Sequence, residues 1–219
     1  MEQLKLEGIK AEADFEHPQR DEIAYYISAI LNVIEGGSEG MLLRPGLIET
    51  PDRVAKAYET WFGGYKVDIS ELFKVFEDGA EGTNELVIVR DIPVYSHCEH
   101  HMAPIIGRAT VGYVPNGKIV GLSKLSRVVD AFARRLQVQE RLTNQIADAI
   151  WENLDPLAVC VYIDARHMCM ESRGVKQSCG SSTVTKAFRG QTAGRYSGVQ
   201  QLWSTEGLMW RKEFLEACK

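Results

Sequence analysis

Apolar positions in the first third of the chain recur at helical spacing. Ile23, Tyr26, Ile27, Ile30, Leu31 and Ile34 line one stripe between Pro18 and Gly36-Gly37, which predicts an amphipathic helix. A second helix is expected from Thr50-Pro51, where Thr50 suits an N-cap and Pro51 the first helical position. Val54, Ala57, Tyr58 and Trp61 would share its apolar face, and Gly63-Gly64 would end it. A short helix is expected near Ile69 to Phe76, and a loop from Gly79 to Asn84.

The texture then changes. Glu85 to Tyr95 is rich in strand formers, and Arg108 to Val114 alternates. Pro115-Asn116-Gly117-Lys118 is a turn signal before Ile119-Val120. Two helices follow. The first is capped by Ser123, with Leu125, Val128, Val129 and Phe132 inward; the second runs from about Val138 to Leu154, with Leu142, Ile146, Ala149 and Ile150 inward. Leu157 to Asp164 reads as a buried strand, Thr183 to Phe188 as another, and Lys212 to Cys218 as a last short helix. Helices cluster, strands cluster and connections between strands are short, so the pattern argues α+β with an antiparallel sheet.

Composition narrows the function classes. The chain has 219 residues, 45% hydrophobic and 25% charged, which suits a folded globular protein and not a disordered one. Its formal net charge is -5, which disfavours a general nucleic-acid binder. No apolar run approaches the roughly 18 residues of a membrane span, and Met1-Glu2-Gln3-Leu4-Lys5 carries no basic-then-apolar leader, so no membrane partner and a cytoplasmic location are expected. Five scattered cysteines, Cys98, Cys160, Cys169, Cys179 and Cys218, do not form a disulfide framework. In a reducing compartment such thiols are core fillers or metal ligands.

The densest chemistry is Ser96-His97-Cys98-Glu99-His100-His101, which holds three of the chain's five histidines. A thiolate and an imidazole three residues apart, Cys98 and His101, can share one zinc from a single turn of backbone. The best candidate for a third ligand is Cys169, at the end of the strand that leads through His167-Met168. Two thiolates and one imidazole leave a fourth position for water, the mark of a catalytic zinc, although iron(II) also suits such ligands. His100 and His167 are candidates for proton transfer beside the metal, or for bracing the ligand loops. An extended strand would place His167 on the same face as Cys169. His97 reads as a polar strand-end residue.

Gly121-Leu122-Ser123-Lys124-Leu125-Ser126-Arg127 opens a helix with a hydroxyl, a Lys and an Arg, a pattern suited to phosphate. Arg173, Arg53 and Lys56 could add cations. Glu140, in Gln139-Glu140-Arg141, is either a favourable first-turn acid or an acceptor for paired N–H donors such as a guanine edge. From these residues alone the reading is a zinc hydrolase or lyase, with a phosphorylated compound as one option for its substrate.

Taken together, the segments resemble a known family. Cys98-Glu99-His100-His101, Gly121-Leu122-Ser123-Lys124 through Arg127, Val138-Gln139-Glu140-Arg141-Leu142-Thr143, and His167-Met168-Cys169 with Arg173-Gly174 resemble GTP cyclohydrolase I in order and approximate spacing. Thr50-Pro51-Asp52-Arg53-Val54-Ala55-Lys56 is similar to that family's upstream helix, and the resemblance runs from about Thr50 to Gly190. It implies a tunnelling fold (T-fold): an antiparallel sheet with helices packed on one face, behind a helical N-terminal region. The implied division is a helical region over 1–80, a catalytic domain over 81–190 and an atypical C-terminal extension over 191–219. The implied assembly is a homo-oligomer, a decamer of two stacked pentamers with sites between subunits.

The implied reaction converts GTP and water to 7,8-dihydroneopterin triphosphate and formate, with no redox cofactor. Cys98, His101 and Cys169 match the zinc ligands, and His100 and His167 the groups that shuttle protons. Glu140 matches the carboxylate that anchors guanine, with Gln139 nearby. Ser123 matches a residue near the ribose and phosphates. Lys124, Arg127 and Arg173 match the triphosphate cations, with Arg53 and Lys56 as further ones. The chain departs from the family at its end, where Gln191 to Trp210 looks like an insertion and puts the oligomer's size in question. Two alternatives share the fold: a nucleotide-binding regulatory protein with a structural zinc, and a related cyclohydrolase that stops at a different pterin or ring-opened product.

Overall fold

The structure, a computed structural model, describes residues 20–35, 43–80, 82–83, 85–190 and 205–219. The chain divides into two compact units, residues 1–60 and 61–219, so the break in compactness falls at Thr60/Trp61.

The first unit holds helix α1 (Arg20–Ile34), as its apolar stripe predicts, and nearly all of α2 (Thr50–Trp61). Asp21 and Glu22 lie in the first turn of α1, where a negative charge meets the positive end of the helix dipole. Pro51 sits in the first turn of α2, where its missing N–H leaves no bond unmade.

The second unit is built on a five-stranded sheet in the order β5-β2-β3-β6-β7. Its strands are β2 (Val87–Cys98), β3 (Pro104–Val114), β5 (Leu136–Gln137), β6 (Ala158–His167) and β7 (Thr183–Gly190). The β2–β3, β3–β6 and β6–β7 pairs are antiparallel, as expected. The short β5 adds a parallel pair beside β2, His97 to Leu136 and Cys98 to Gln137. A register shift between Val89 and Ile92 places Asp91 at φ 57, and its carboxylate accepts a 3.0 Å hydrogen bond from Arg108. That bulge adds local twist to the long β2–β3 ribbon.

Two amphipathic helices, α3 (Leu122–Ala133) and α4 (Gln139–Leu154), cover one face of this sheet. Their apolar stripes, Leu125, Val128, Val129 and Phe132 from α3 and Leu142, Ile146 and Ile150 from α4, interlock with Val94, Ala109, Val111, Val161 and Ile163. Each fully buried aliphatic side chain contributes on the order of 1.5–3 kcal/mol. The α4 helix ends at Asp155, held in the left-handed region at φ 48.

The opposite face is also covered. The last helix, α6 (Thr205–Ala217), begins well before the expected Lys212 and sends Phe214 into the sheet beside Gly112. Phe214 is fully buried and meets Phe188 edge-on at 6.3 Å, while Arg211 lies 4.5 Å over the Phe188 ring. The α6 helix thus adds a second covered face to the one-face arrangement of α3 and α4. Its first residues take in Trp210, while Gln191 to Ser204, the greater part of the expected insertion, lies outside the described residues.

Three local expectations are corrected. The short helix expected near Ile69 to Phe76 is a single 3-10 turn, Ser70–Leu72, followed by strand β1 (Val75–Phe76). Only three residues there can close the turn before the chain is drawn into pairing. Ile119-Val120 form strand β4, which pairs antiparallel with β1 and not back onto β3; the turn at Pro115–Lys118, with Gly117 at φ 69, directs the chain away from the large sheet. Ser123 is not the cap of α3. The helix starts at Leu122 with Gly121 as N-cap and no side-chain cap bond, so Ser123 is already inside its first turn.

Candidate metal centre

The hexad Ser96–His101 straddles the end of β2. Cys98 is the last strand residue, and the chain folds back at once: Met102 N–H donates to the Cys98 carbonyl at 2.7 Å, His101 N–H does so at 3.3 Å, and Cys98 N–H donates to Ala103 O at 2.8 Å. This tight turn, with Met102 at φ 52, puts the His101 ring beside the Cys98 sulfur, Sγ to Nδ1 at 3.7 Å.

The third group arrives through the sheet register. Pro104 of β3 lies opposite His97, and Ile105 lies opposite His167, so the ends of β2 and β6 meet at one end of the sheet. The strand stops at His167 and a short helix, α5 (Met168–Glu171), begins. Cys169 is therefore on a helical turn, and the same-face argument for residues 167 and 169 of a continuous strand does not hold. Arg166 braces α5 by donating from Nε and Nη2 to the Glu171 carboxylate at 2.8 and 2.5 Å, which holds that carboxyl below its ordinary range.

The result is a cluster of Cys98, His101 and Cys169 whose ligand atoms all lie within 4.8 Å of one another. Among the described residues it is the one group of three with metal-holding chemistry. Tetrahedral zinc with sulfur bonds of about 2.3 Å and nitrogen bonds of about 2.0 Å needs ligand atoms some 3.5–4 Å apart, so the spacing fits with small adjustments. Burial raises the Cys169 thiol, and the neighbouring Cys98 sulfur raises it further; the Arg173 guanidinium opposes both. Two sulfurs and an imidazole nitrogen brought this close form a soft donor set, so the three residues fit a soft divalent metal.

The other expected groups are placed as follows. His100 is exposed, with Nδ1 3.9 Å from Cys98 Sγ and Nε2 3.7 Å from Glu99 Oε1. His167 is half-buried, and desolvation pushes its ring below the ordinary imidazole range, with the Glu140 carboxylate near enough to pull the other way. Gln139, 1% exposed, turns its carboxamide into the chain and accepts from His167 Nε2 at 2.7 Å. Arg173 is exposed and acts on Cys169 through its charge. Ser123, Lys124 and Arg127 lie on the first two turns of α3, with Lys124 half-buried and the other two exposed. Arg53 and Lys56 lie on α2 in the first unit, where Arg53 pairs with Glu49 four residues earlier. His97 is buried between the rings of Trp61 and Phe62, with centroids 5.2 and 5.1 Å away.

Comparison with known proteins assigns this architecture. A family model described as GTP cyclohydrolase I matches residues 25–203. The chain belongs to the GTP cyclohydrolase I family. It is 64% identical over 148 residues to GTP cyclohydrolase 1 of Janthinobacterium sp. (strain Marseille), covering 68% of this chain and 74% of that protein. It is 58% identical over 147 residues to GTP cyclohydrolase 1 of Nitrosospira multiformis, covering 67% of this chain and 76% of that protein. The protein of the same name from Allorhizobium ampelinum is 54% identical over 148 residues, covering 68% and 73% respectively. Among solved structures, the apo crystal structure of the archaeosine synthase QueF-Like overlaps 49% of this chain and 96% of its own, at a TM-score of 0.41 and 18% identity. Among the described residues no helix is long and apolar enough to cross a membrane.

Sequence reasoning missed the groups that hold the family's motif residues in place. Arg141 donates to the Glu99 carboxylate, to Gln137 Oε1 at 3.1 Å and to Leu136 O at 3.3 Å. Thr143 and Thr185 stand behind Gln139. The one available signal was the four-residue spacing of Arg141 and Gln145, which puts both on one side of α4's first turns, while Gln137 belongs to β5.

Proposed function

We propose that this chain opens the imidazole ring of GTP with water and rearranges the product to 7,8-dihydroneopterin triphosphate, releasing formate. The observation that carries the reading is the convergence of Cys98, His101 and Cys169 in a chain of this family. Zinc is the metal we assign to them. Held by Cys98, His101 and Cys169, it would supply Lewis acidity and lower the pKa of a water towards neutral.

The chain's own groups do the rest. His100 and His167 flank the cluster, and they move protons to and from the guanine nitrogens and the ribose as the ring opens and the pterin closes. Glu140, exposed on the first turn of α4, accepts the paired N–H donors of the guanine edge. Ser123, Lys124, Arg127 and Arg173 meet ribose and triphosphate, with Arg53 and Lys56 as further cations; the chain's net negative charge leaves such local cations to hold the anion. We assign a cytoplasmic homodecamer with sites between subunits, and the division of the chain at 80 and 190.

The test is one incubation of purified, metal-analysed protein with GTP, following formate and product mass together. Formate with dihydroneopterin triphosphate is the expected result. Zinc-loaded protein that leaves GTP intact would turn the reading to a nucleotide-binding regulator, and a different product mass to a related cyclohydrolase.

A further inference from the structure

Gln139 opens α4 almost fully buried, and each end of its carboxamide meets chemistry that allows one orientation only. Its nitrogen lies 2.8 Å from Thr183 O and 3.1 Å from Ile163 O, two carbonyls that can only accept. A third neighbour, Thr185 Oγ1 at 3.1 Å, gives the same answer through a chain of hydroxyls. Thr143 Oγ1 lies 2.6 Å from the Gln139 main-chain carbonyl, so the single hydroxyl proton of Thr143 is directed there. Thr185 Oγ1 lies 2.6 Å from Thr143 Oγ1 and must donate to it. Thr185, its own proton spent, can only accept from Gln139. Turning the amide over would set its oxygen against two carbonyls and an acceptor hydroxyl.

The amide oxygen therefore faces His167, 2.7 Å from Nε2. An amide oxygen has no proton to give, so Nε2 must carry one. In the neutral ring that leaves Nδ1 bare; in the charged ring Nε2 keeps its proton and Nδ1 gains one. Among the described residues nothing is hydrogen-bonded to His167 Nδ1.

We propose that Gln139 is a positioning residue that fixes His167 as the Nε2–H tautomer, so that Nδ1 is the nitrogen through which His167 exchanges protons with substrate. The inference rests on the cyclohydrolase reading of His167 and adds which nitrogen works and what holds it. Strands β6 and β7 supply the carbonyls that orient Gln139, so the sheet itself sets the tautomer.

The experiment is solid-state nitrogen NMR on metal-loaded protein labelled with nitrogen-15 at histidine, the His167 signals being identified by their loss in His167→Asn. The expected result is a protonated-type Nε2 and a bare-type Nδ1. In Gln139→Leu, which keeps the bulk and removes the amide, the signals should become a tautomer mixture or shift to Nδ1–H. There kcat should fall about tenfold or more while KM for GTP stays within about threefold and metal content is unchanged. Thr143→Val disturbs the same α4–β7 seam but leaves the Thr183 and Ile163 carbonyls in place, and should keep the Nε2–H signature.

A wild-type Nδ1–H signature overturns the inference, whether or not the variants fold. So does a Gln139→Leu protein with wild-type signals and kcat, or a Thr143→Val protein whose tautomer shifts as far as that of Gln139→Leu. Wild-type protein that releases formate yet shows Nδ1–H sinks this inference alone. Wild-type protein that leaves GTP intact sinks the catalytic reading beneath it.

Discussion

The Arg141 guanidinium grips the Glu99 carboxylate and so ties the first turn of α4 to the loop that carries both Cys98 and His101. The same side chain is held by Gln137 Oε1 and Leu136 O, and Glu99 N–H donates to Gln137 O at 3.0 Å. The Glu99 carboxyl is kept below its ordinary range, first by the hydrogen bond from Arg141. The ligand loop is thus fastened to β5 and α4 by groups that touch no metal.

Arg141→Ala should release that loop and weaken zinc binding about 10–100-fold, the usual range when a group supporting ligands is lost. Competition with a chromophoric chelator measures it. Arg141→Lys should fall between, because an ammonium keeps the charge but loses the planar fork. Wild-type zinc affinity in Arg141→Ala would mean the loop holds its shape unaided.

Ligands and flanking groups should separate cleanly. Cys98→Ser, His101→Ala and Cys169→Ser should each purify with little zinc by elemental analysis. His100→Ala should keep its zinc and lose turnover by roughly 10²–10⁴, the range of general acid–base catalysis. Loss of zinc in His100→Ala would place that ring among the ligands instead.

Two glycines of β3 should respond differently to a methyl group. At Gly107 an added Cβ would lie 2.1 Å from Asp164 O and 2.5 Å from Ala165 Cα, both backbone atoms of the paired strand. At Gly112 it would lie 2.9 Å from the Phe214 ring, which belongs to the last helix. Gly107→Ala should therefore yield insoluble or largely unfolded protein. Gly112→Ala should fold with a cost of about 1–3 kcal/mol, the usual cost of overpacking. Thermal unfolding of the two variants decides; equal midpoints would show that the β3–β6 pair can part as easily as α6 can shift.

Burial pushes the Cys160 thiol up to about 12, with the nearby Cys218 adding to the effect. The folded state holds this proton, while the unfolded chain releases it near pH ~8.5. Cys160 therefore counts against the fold as pH rises from there towards 12, and not at all below. In native protein at pH 8 iodoacetamide should label the exposed Cys179 and spare Cys160, as mass spectrometry of the digests would show. Equal labelling of both would contradict the burial.

Much of this molecule was legible in its sequence. Periodicity located α1, α2, α3 and α4 nearly to their ends, because an amphipathic helix on a sheet must repeat its apolar residues every three to four positions. The run that becomes β6 was visible because a strand covered on both faces, by α4 on one side and α6 on the other, is apolar along most of its length. The Cys-x-x-His turn was visible because both ligands come from one loop.

What the sequence could not carry lay in pairings between distant segments. Nothing local says that Val75-Phe76 will take Ile119-Val120 as a partner, or that Gly112 is bare to admit Phe214 from the far end of the chain. Cys169 was guessed at from the residues and matched by the family, but it is the register of β3 between β2 and β6 that brings it to Cys98 and His101. Gln139 read as a substrate residue, yet its carboxamide is spent on β6, β7 and His167. A local pattern records how a segment repeats and which side it buries. Which segment lies opposite, and therefore which nitrogen of His167 is left bare, is decided only when the sheet closes its hydrogen bonds and the helices lock its register.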